Sequence, residues 1–180
     1  MNPASRDLDA FLAGIERRAL RIAEIATRDR DEALDVVQDA MLQLARSYGQ
    51  RPQQEWPPLF YRILENKIRD WQRRRTVTRR IFFWRARTED EEETDWLDEI
   101  ADPSQPNAQD LLQREQTLKR LEIALARLPG RQREAFELRI WQGLSVEESA
   151  QAMGCSEGSV KTHLFRALAT LREDLQGVWP

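Results

Sequence analysis

The sequence holds one cysteine, one histidine and seven glycines in 180 residues. Cys155 stands alone, so no intramolecular disulfide forms and a reducing compartment is expected. It follows Gly154 and reads as a small packed residue rather than a redox switch. His163 has no second histidine to share a metal with. The scarce glycines form no phosphate-cradling loop, and no Ser-His-Asp set is in view. No catalytic residue, metal or cofactor is therefore assigned, and an enzyme is not expected. No stretch is apolar for the roughly 18 residues that a membrane-crossing helix needs. The start, "MNPASRDLDAFLAGIERR", has no basic segment followed by an apolar run, so no signal peptide is expected. A soluble, cytoplasmic protein without membrane insertion is the reading. Alternating Val/Ile runs are also missing, which argues against a sheet.

What is present is charge, unevenly placed. The net charge of −3 conceals blocks of opposite sign. Residues 1–46 are net −2, residues 47–87 net +8, residues 88–110 net −10 and residues 111–180 net +1. A near-neutral total thus says nothing against nucleic-acid binding, because the distribution carries the information.

Apolar residues recur at helical spacing along most of the chain. Leu8, Phe11, Leu12, Ile15, Ala19, Ile22 and Ala26 mark a helix over 8–27. "DEALDVVQDAMLQLAR" marks a second, with Asp31 as its expected N-cap. "SYGQRPQQEWPP" reads as a loop. "LFYRILENKIRDWQRRR" marks a third helix, continuing or restarting through "TVTRRIFFWRAR". Residues 88–110 are acidic, carry Pro103 and Pro106, and read as a linker too poor in large apolar residues to offset its ordering entropy. Trp96, Leu97, Ile100 and Ala101 could supply one docking turn within it. The helical pattern resumes at Leu111. "RQREAFELRIWQG" ends on Gly143 as a C′ glycine. Ser145 with Glu148 has capping-box spacing, and Ser156 caps the last helix. The fold class is all-α, with domains at 1–87 and 111–180 joined by a flexible acidic linker at 88–110.

The segment "LSVEESAQAMGCSEGSVKTHLFRALATL" has the parts of a helix-turn-helix. Ala150 is small where two helices must cross. Gly154 suits a turn position with positive φ. Val160, Leu164, Ala167, Leu168 and Leu171 form an inner stripe. Lys161, Thr162, Phe165 and Arg166 then face outward, with His163 on the flank. The slim first turn, Glu157-Gly158-Ser159, can approach a groove wall. An ordinary helical hairpin would show much of the same pattern. The basic middle interleaves Arg and Lys with Trp71, Phe82, Phe83 and Trp84. Cations neutralise phosphates, and aromatic faces stack on unpaired bases. A solvated basic face over core aromatics is the alternative there, and Trp71 at helical spacing from Leu64 and Ile68 fits the core.

Taken together, three stretches resemble the extracytoplasmic-function (ECF) group of the sigma-70 family, bacterial transcription initiation factors. "DEALDVVQDAMLQL" resembles the helix that binds the β′ clamp helices of RNA polymerase. "LFYRILENKIRDWQRRR" resembles the promoter −10 helix. "LARLPGRQREAFELRIWQGLSVEESAQAMGCSEGSVKTHLFRALATLR" resembles the fourth-region domain, which reads the −35 element. The resemblance implies that Asp35, Gln38, Asp39 and Leu42 bind core polymerase. It implies that Tyr61, Arg62, Asn66, Arg69, Asp70, Arg73 and Arg74 face −10 DNA. It implies that Ser159, Lys161, Thr162, His163, Phe165 and Arg166 face the −35 groove. The loop around 47–56 would take up a flipped −10 base, and the acidic linker would thread toward the polymerase cleft. Implied partners are core RNA polymerase through its β′ clamp helices and β flap, promoter DNA, and in some members an anti-sigma factor. Asp39 departs from the Glu that the family prefers after Gln38, and the aromatic, basic stretch Thr76–Arg87 departs too. That stretch would dock an anti-sigma partner or lengthen the −10 helix. The other reading is a two-domain helix-turn-helix regulator without sigma activity; the Asn/Asp/Arg face of the third helix argues against it.

Overall fold

The computed structural model describes residues 3–83 and 108–175, and side chains over 6–76 and 116–175. The linker and its Trp96 turn lie outside the described residues, apart from the start of the helix that follows. Every regular element among the described residues is helical. The N-terminal half is α1 (Pro3–Thr27), α2 (Arg30–Tyr48) and α3 (Trp56–Phe83). The C-terminal half is α4 (Ala108–Arg127), α5 (Gly130–Phe136), α6 (Val146–Met153) and α7 (Glu157–Asp174). A 3-10 turn, Gln53–Glu55, precedes α3, and a π-helical turn, Glu137–Trp141, follows α5.

Local chemistry sets the boundaries. The N-cap of α2 is Asp29, not Asp31: its carboxylate accepts from the Asp31 and Glu32 amides at 3.0 and 3.1 Å. The chain reaches that position because Arg28 takes a left-handed conformation (φ 55°) straight after α1, which starts α2 earlier than the apolar pattern indicates. Asp31 and Glu32 instead occupy the first turn, where the helix dipole favours anions. Pro57 and Pro58 do not lengthen the loop. They fall in the first turn of α3, where the missing N–H groups would be orphans in any case. The third helix does not restart: it runs unbroken through Thr76 to Phe83.

Ser145 and Glu148 form the capping box, with bonds of 3.0 and 2.7 Å. Ser156 caps α7, and Gly143 and Gly154 both have positive φ, as the sequence indicates. The helix expected over 131–143 runs from Gly130 to Trp141, its last turn widened to a π-helix with a Gln142 amide to Glu137 carbonyl bond. Gly49 needs its missing side chain for a different reason. A Cβ there would sit 2.6 Å from the Ala45 carbonyl oxygen and 3.2 Å from a Leu8 methyl.

The two halves are not separate bodies. One buried cluster runs from Ala19, Val37, Phe60, Leu64 and Ile68 of α1–α3 into Ala135, Leu138, Met153 and Val160 of the C-terminal half. In a second cluster, Ile25 of α1 packs among Leu125, Phe136, Ala167 and Leu171. Arg21 of α1 pairs with Glu122 of α4 across the same seam. Replacing Asp29 by Ala is expected to cost about 1 kcal/mol, and Asp31→Ala clearly less. Urea midpoints of the two variants check which residue is the cap.

Candidate nucleic-acid interface

The candidate recognition face lies on α7. Val160, Ala167 and Leu171 are buried and Leu164 is half-buried, so the inner stripe is in place. Leu168 is the exception at 41% exposed. At about 100° per residue it lies some 80° round from Val160, on the edge of the stripe. The small residue fully buried in α6 is Ser149, while Ala150 is only half-buried. Lys161, Thr162 and Arg166 are exposed, and Phe165 is 73% exposed. Ser159 and His163 are half-buried on the flanks. The six −35 candidates thus share one surface. The Thr162 hydroxyl currently donates back to the Gly158 carbonyl at 2.9 Å. Ser156 Oγ lies 2.9 Å from Ser159 Oγ, which holds the first turn tight.

The −10 candidates divide. Arg62, Asn66, Arg69 and Arg73 recur at i, i+4, i+7 and i+11 on α3, one stripe of its outer side. Arg62, Asn66, Asp70 and Arg73 are exposed. Asp70 pairs loosely with Arg73 at 3.9 Å. Arg69 is held by Glu134 of α5 at 2.7 Å. Tyr61 is buried, and its hydroxyl donates to Gln142 Oε1 at 2.6 Å. Burial pushes the Tyr61 phenol up, against the pull of nearby Arg18. Both residues lie at the seam between the halves, which the C-terminal half covers. Arg74 falls on another side of the helix and lines a groove between α2 and α3.

That groove, of about 840 Å³, is the third surface. Asp35, Gln38, Asp39 and Leu42 of α2 form one wall, and Lys67, Trp71, Arg74 and Arg75 of α3 the other. The four candidates for polymerase binding are all exposed, Leu42 by 51%. Asp39 is tied to Lys67 at 3.1 Å. Trp71 is fixed from both sides: its indole N–H donates to Glu32 at 2.7 Å, and the Arg75 guanidinium lies 5.2 Å from its ring. It is therefore a structural residue of the groove floor, as its spacing indicates. At the first residue of α3, Trp56 is buried and its indole N–H donates across the preceding loop to the Tyr48 carbonyl at 3.2 Å. The loop is thereby anchored at both ends.

No group of His, Cys, Asp and Glu suited to a metal occurs among the described residues. No described helix is long and apolar enough to cross a membrane. Sequence reasoning missed the residues of the seam: Glu65, Gln142 and the α5 cluster Arg131, Arg133 and Glu134. The apolar pattern marks this stretch only as a further helix ending at Gly143 and assigns its charged residues no role. The one available signal was "GRQREAFEL", where apolar residues are too few to give the helix a separate core side.

An all-helical protein with a capped helix-turn-helix and a second basic helix is a DNA-binding protein. The comparisons with known proteins carry the assignment further. Residues 118–171 match the model of the sigma-70 region 4 family. The chain is 36% identical over 159 residues to the RNA polymerase sigma-E factor of Streptomyces coelicolor, covering 87% of this chain and 78% of that one. It is 30% identical to the ECF sigma factor SigM of Mycobacterium tuberculosis, covering 86% of this chain and 70% of that one. The sigma factor RpoE from Bartonella quintana, solved with the anti-sigma factor NepR, matches with a TM-score of 0.62 and 26% identity over 93% of this chain and 98% of that chain. CnrH, solved with the cytosolic domain of CnrY, shares the fold at a TM-score of 0.53 and 24% identity, over 96% of this chain and 94% of that chain. The chain belongs to the ECF group of the sigma-70 family. It is a transcription initiation factor that binds core RNA polymerase and directs it to promoters.

Removing the hydroxyl in Tyr61→Phe is expected to weaken docking of the two halves by about 1 kcal/mol. Helicity by circular dichroism stays unchanged, while protease cleavage between the halves speeds up.

Proposed function

We propose that the three surfaces divide the work of initiation as the family resemblance implies. Residues 1–87 bind core polymerase and the −10 element, residues 88–110 form the linker, and residues 111–180 read −35. Asp35, Gln38, Asp39 and Leu42 engage the β′ clamp helices. The groove gives this face carboxylates beside an exposed leucine, which suits a helical partner carrying both cations and apolar side chains. Arg62, Asn66, Arg69 and Arg73 meet −10 DNA, with Arg and Asn able to contact phosphates and unpaired bases. Tyr61 and Asp70 border that stripe, and Arg74 contributes from the groove side. The C-terminal half meets the β flap.

The observation that carries the reading is the α7 face. Lys161, Thr162, Phe165 and Arg166 project together from a helix whose N-terminal turn is capped and slim. Recognition helices enter the major groove in this way, with their N-terminal part toward the bases. Ser159 and His163 flank the face at phosphate level. The protein acts in the cytoplasm, carries out no catalytic step and needs no cofactor: its residues bind and position polymerase and promoter. An anti-sigma factor is a further partner, supported by the likeness to RpoE, whose structure holds NepR.

Transcription in vitro with core polymerase and a pool of promoter fragments tests the reading. Arg166→Ala is expected to weaken −35-dependent initiation by roughly 1–3 kcal/mol. Unchanged promoter selection would count against the α7 face. The double change Asp35→Ala with Gln38→Ala is expected to lower affinity for core polymerase while the full chain still binds a −35 duplex. Loss of both activities would point to misfolding instead.

A further inference from the structure

The seam between the halves contains more buried charge than docking requires. Glu134 of α5 is 2% exposed and accepts from Arg69 of α3 at 2.7 Å and Arg131 at 3.2 Å. Glu137, also buried, has Arg133 Nε at 3.6 Å. Neither Glu137 Oε1 nor Arg133 Nε makes a hydrogen bond. Glu65 of α3 is buried across from them. The three carboxylates line one gap of about 10 Å³, closed by Ile22, Leu64 and Leu138. That volume is about the least that holds one water.

The other charged groups around the gap are known from each packed element. From α1, Arg18 acts on Tyr61, and Arg21 pairs with Glu24 and with Glu122 of α4. From α3 comes Arg69, and from α5 Arg131 and Arg133. From α6, the Met153 carbonyl takes a 2.7 Å bond from Arg131. Three guanidinium groups therefore face three carboxylates, but the pairing is unequal. Glu134 takes two of the cations, whereas Glu137 has one at poor geometry.

We propose that this cluster is a proton-operated latch: the closed chain takes up protons at Glu65, Glu134 and Glu137, and undocking of the halves releases them. Opening is then favoured as pH rises, and it frees Arg69 and Tyr61. The benefit for −10 DNA rests on the assignment of the α3 stripe made above; the opening itself does not.

The electrostatics agree in sign. Burial first, then the neighbouring Glu65 charge, pushes Glu134 up to about 7 against the pull of Arg69 and Arg131. Burial likewise raises Glu65 and Glu137, with arginines opposing in both. In the open chain these carboxylates return toward the ordinary glutamate value. The closed state thus binds more protons than the open state from about pH 4.5 upward. Its advantage is complete below that value and is lost as pH rises to about 7 for Glu134; the raised Glu65 and Glu137 act in the same direction. Each proton released changes the open-to-closed ratio by up to about tenfold per pH unit.

The test is single-molecule energy transfer on the full chain, labelled at Gln43→Cys in α2 and Arg172→Cys in α7, with Cys155→Ala. Between pH 5.5 and 7.5 the open-to-closed ratio is expected to rise at least about tenfold. Glu134→Gln with Glu137→Gln imitates the protonated pair and is expected to hold the chain closed and flatten the profile. Should that double variant lose helicity, Glu65→Gln supplies the same comparison at one site. An open fraction independent of pH, or Gln variants with the wild-type slope, overturns the latch. A single-stranded oligonucleotide titrated into the same samples separates the two ideas. Affinity that rises with pH, against the usual electrostatic trend, and falls with Asn66→Ala supports both. Opening without oligonucleotide binding leaves the latch standing and removes the −10 assignment.

Discussion

One helix has to serve several surfaces at once, and the rest of the molecule is arranged around that constraint. At about 100° per residue, α3 presents Phe60, Leu64 and Trp71 to its own half. The next sector holds Tyr61, Glu65 and Arg69, which meet the C-terminal half. Beyond it lie Arg62, Asn66 and Arg73, exposed to solvent. Lys67 and Arg74 complete the circle on the groove beside α2. No sector is spare. Arg69 sits on the border between the seam and the outer stripe: it bonds Glu134 and is still partly exposed. Whatever binds along that stripe therefore meets a side chain already engaged in docking the halves.

The C-terminal half faces no such conflict. Its outward residues on α7 stay free because α7 buries the opposite stripe against α4 and α5. In the compact chain Lys161, Thr162, Phe165 and Arg166 are presented, while Tyr61 is covered and Arg69 is engaged. Asp35, Gln38, Asp39 and Leu42 on α2 are likewise exposed. A partner that recognises α2 or α7 can thus engage the closed form, whereas contact along the whole α3 stripe requires the halves to separate.

Much of this was legible in the sequence because the signals are local. Helix spacing, the Ser145–Glu148 box, the Ser156 cap and the turn glycines Gly143 and Gly154 depend on residues within a few positions of each other. The outward side of α7 follows from its buried stripe by simple rotation about the helix. Errors arose where a backbone detail intervened. Arg28 in a left-handed conformation moved the cap of α2 to Asp29, and the helix that starts at Gly130 ends in a π turn that the apolar pattern does not show. The seam was not legible for a different reason. Its contacts join Tyr61 to Gln142 and Arg69 to Glu134, and nothing in either segment names the other. Glutamates in "GRQREAFEL" look like solvated residues until the opposing helix buries them.

The composition of the seam also decides how tightly it holds. Its adhesion comes from apolar residues on both sides: Ile25 among Leu125 and Phe136, and Leu138 and Met153 among the residues packed with α3. The charged cluster adds little to this. Desolvating its groups costs about as much as their attraction returns, and burial moves the carboxylates toward their neutral form. What they supply is register, since a misplaced docking would leave Glu134 buried without Arg69. Replacing the cluster with leucines would hold the halves together more firmly and would remove the route by which they part. An interface specified by charge and only modestly stabilised by it holds one register and can still open.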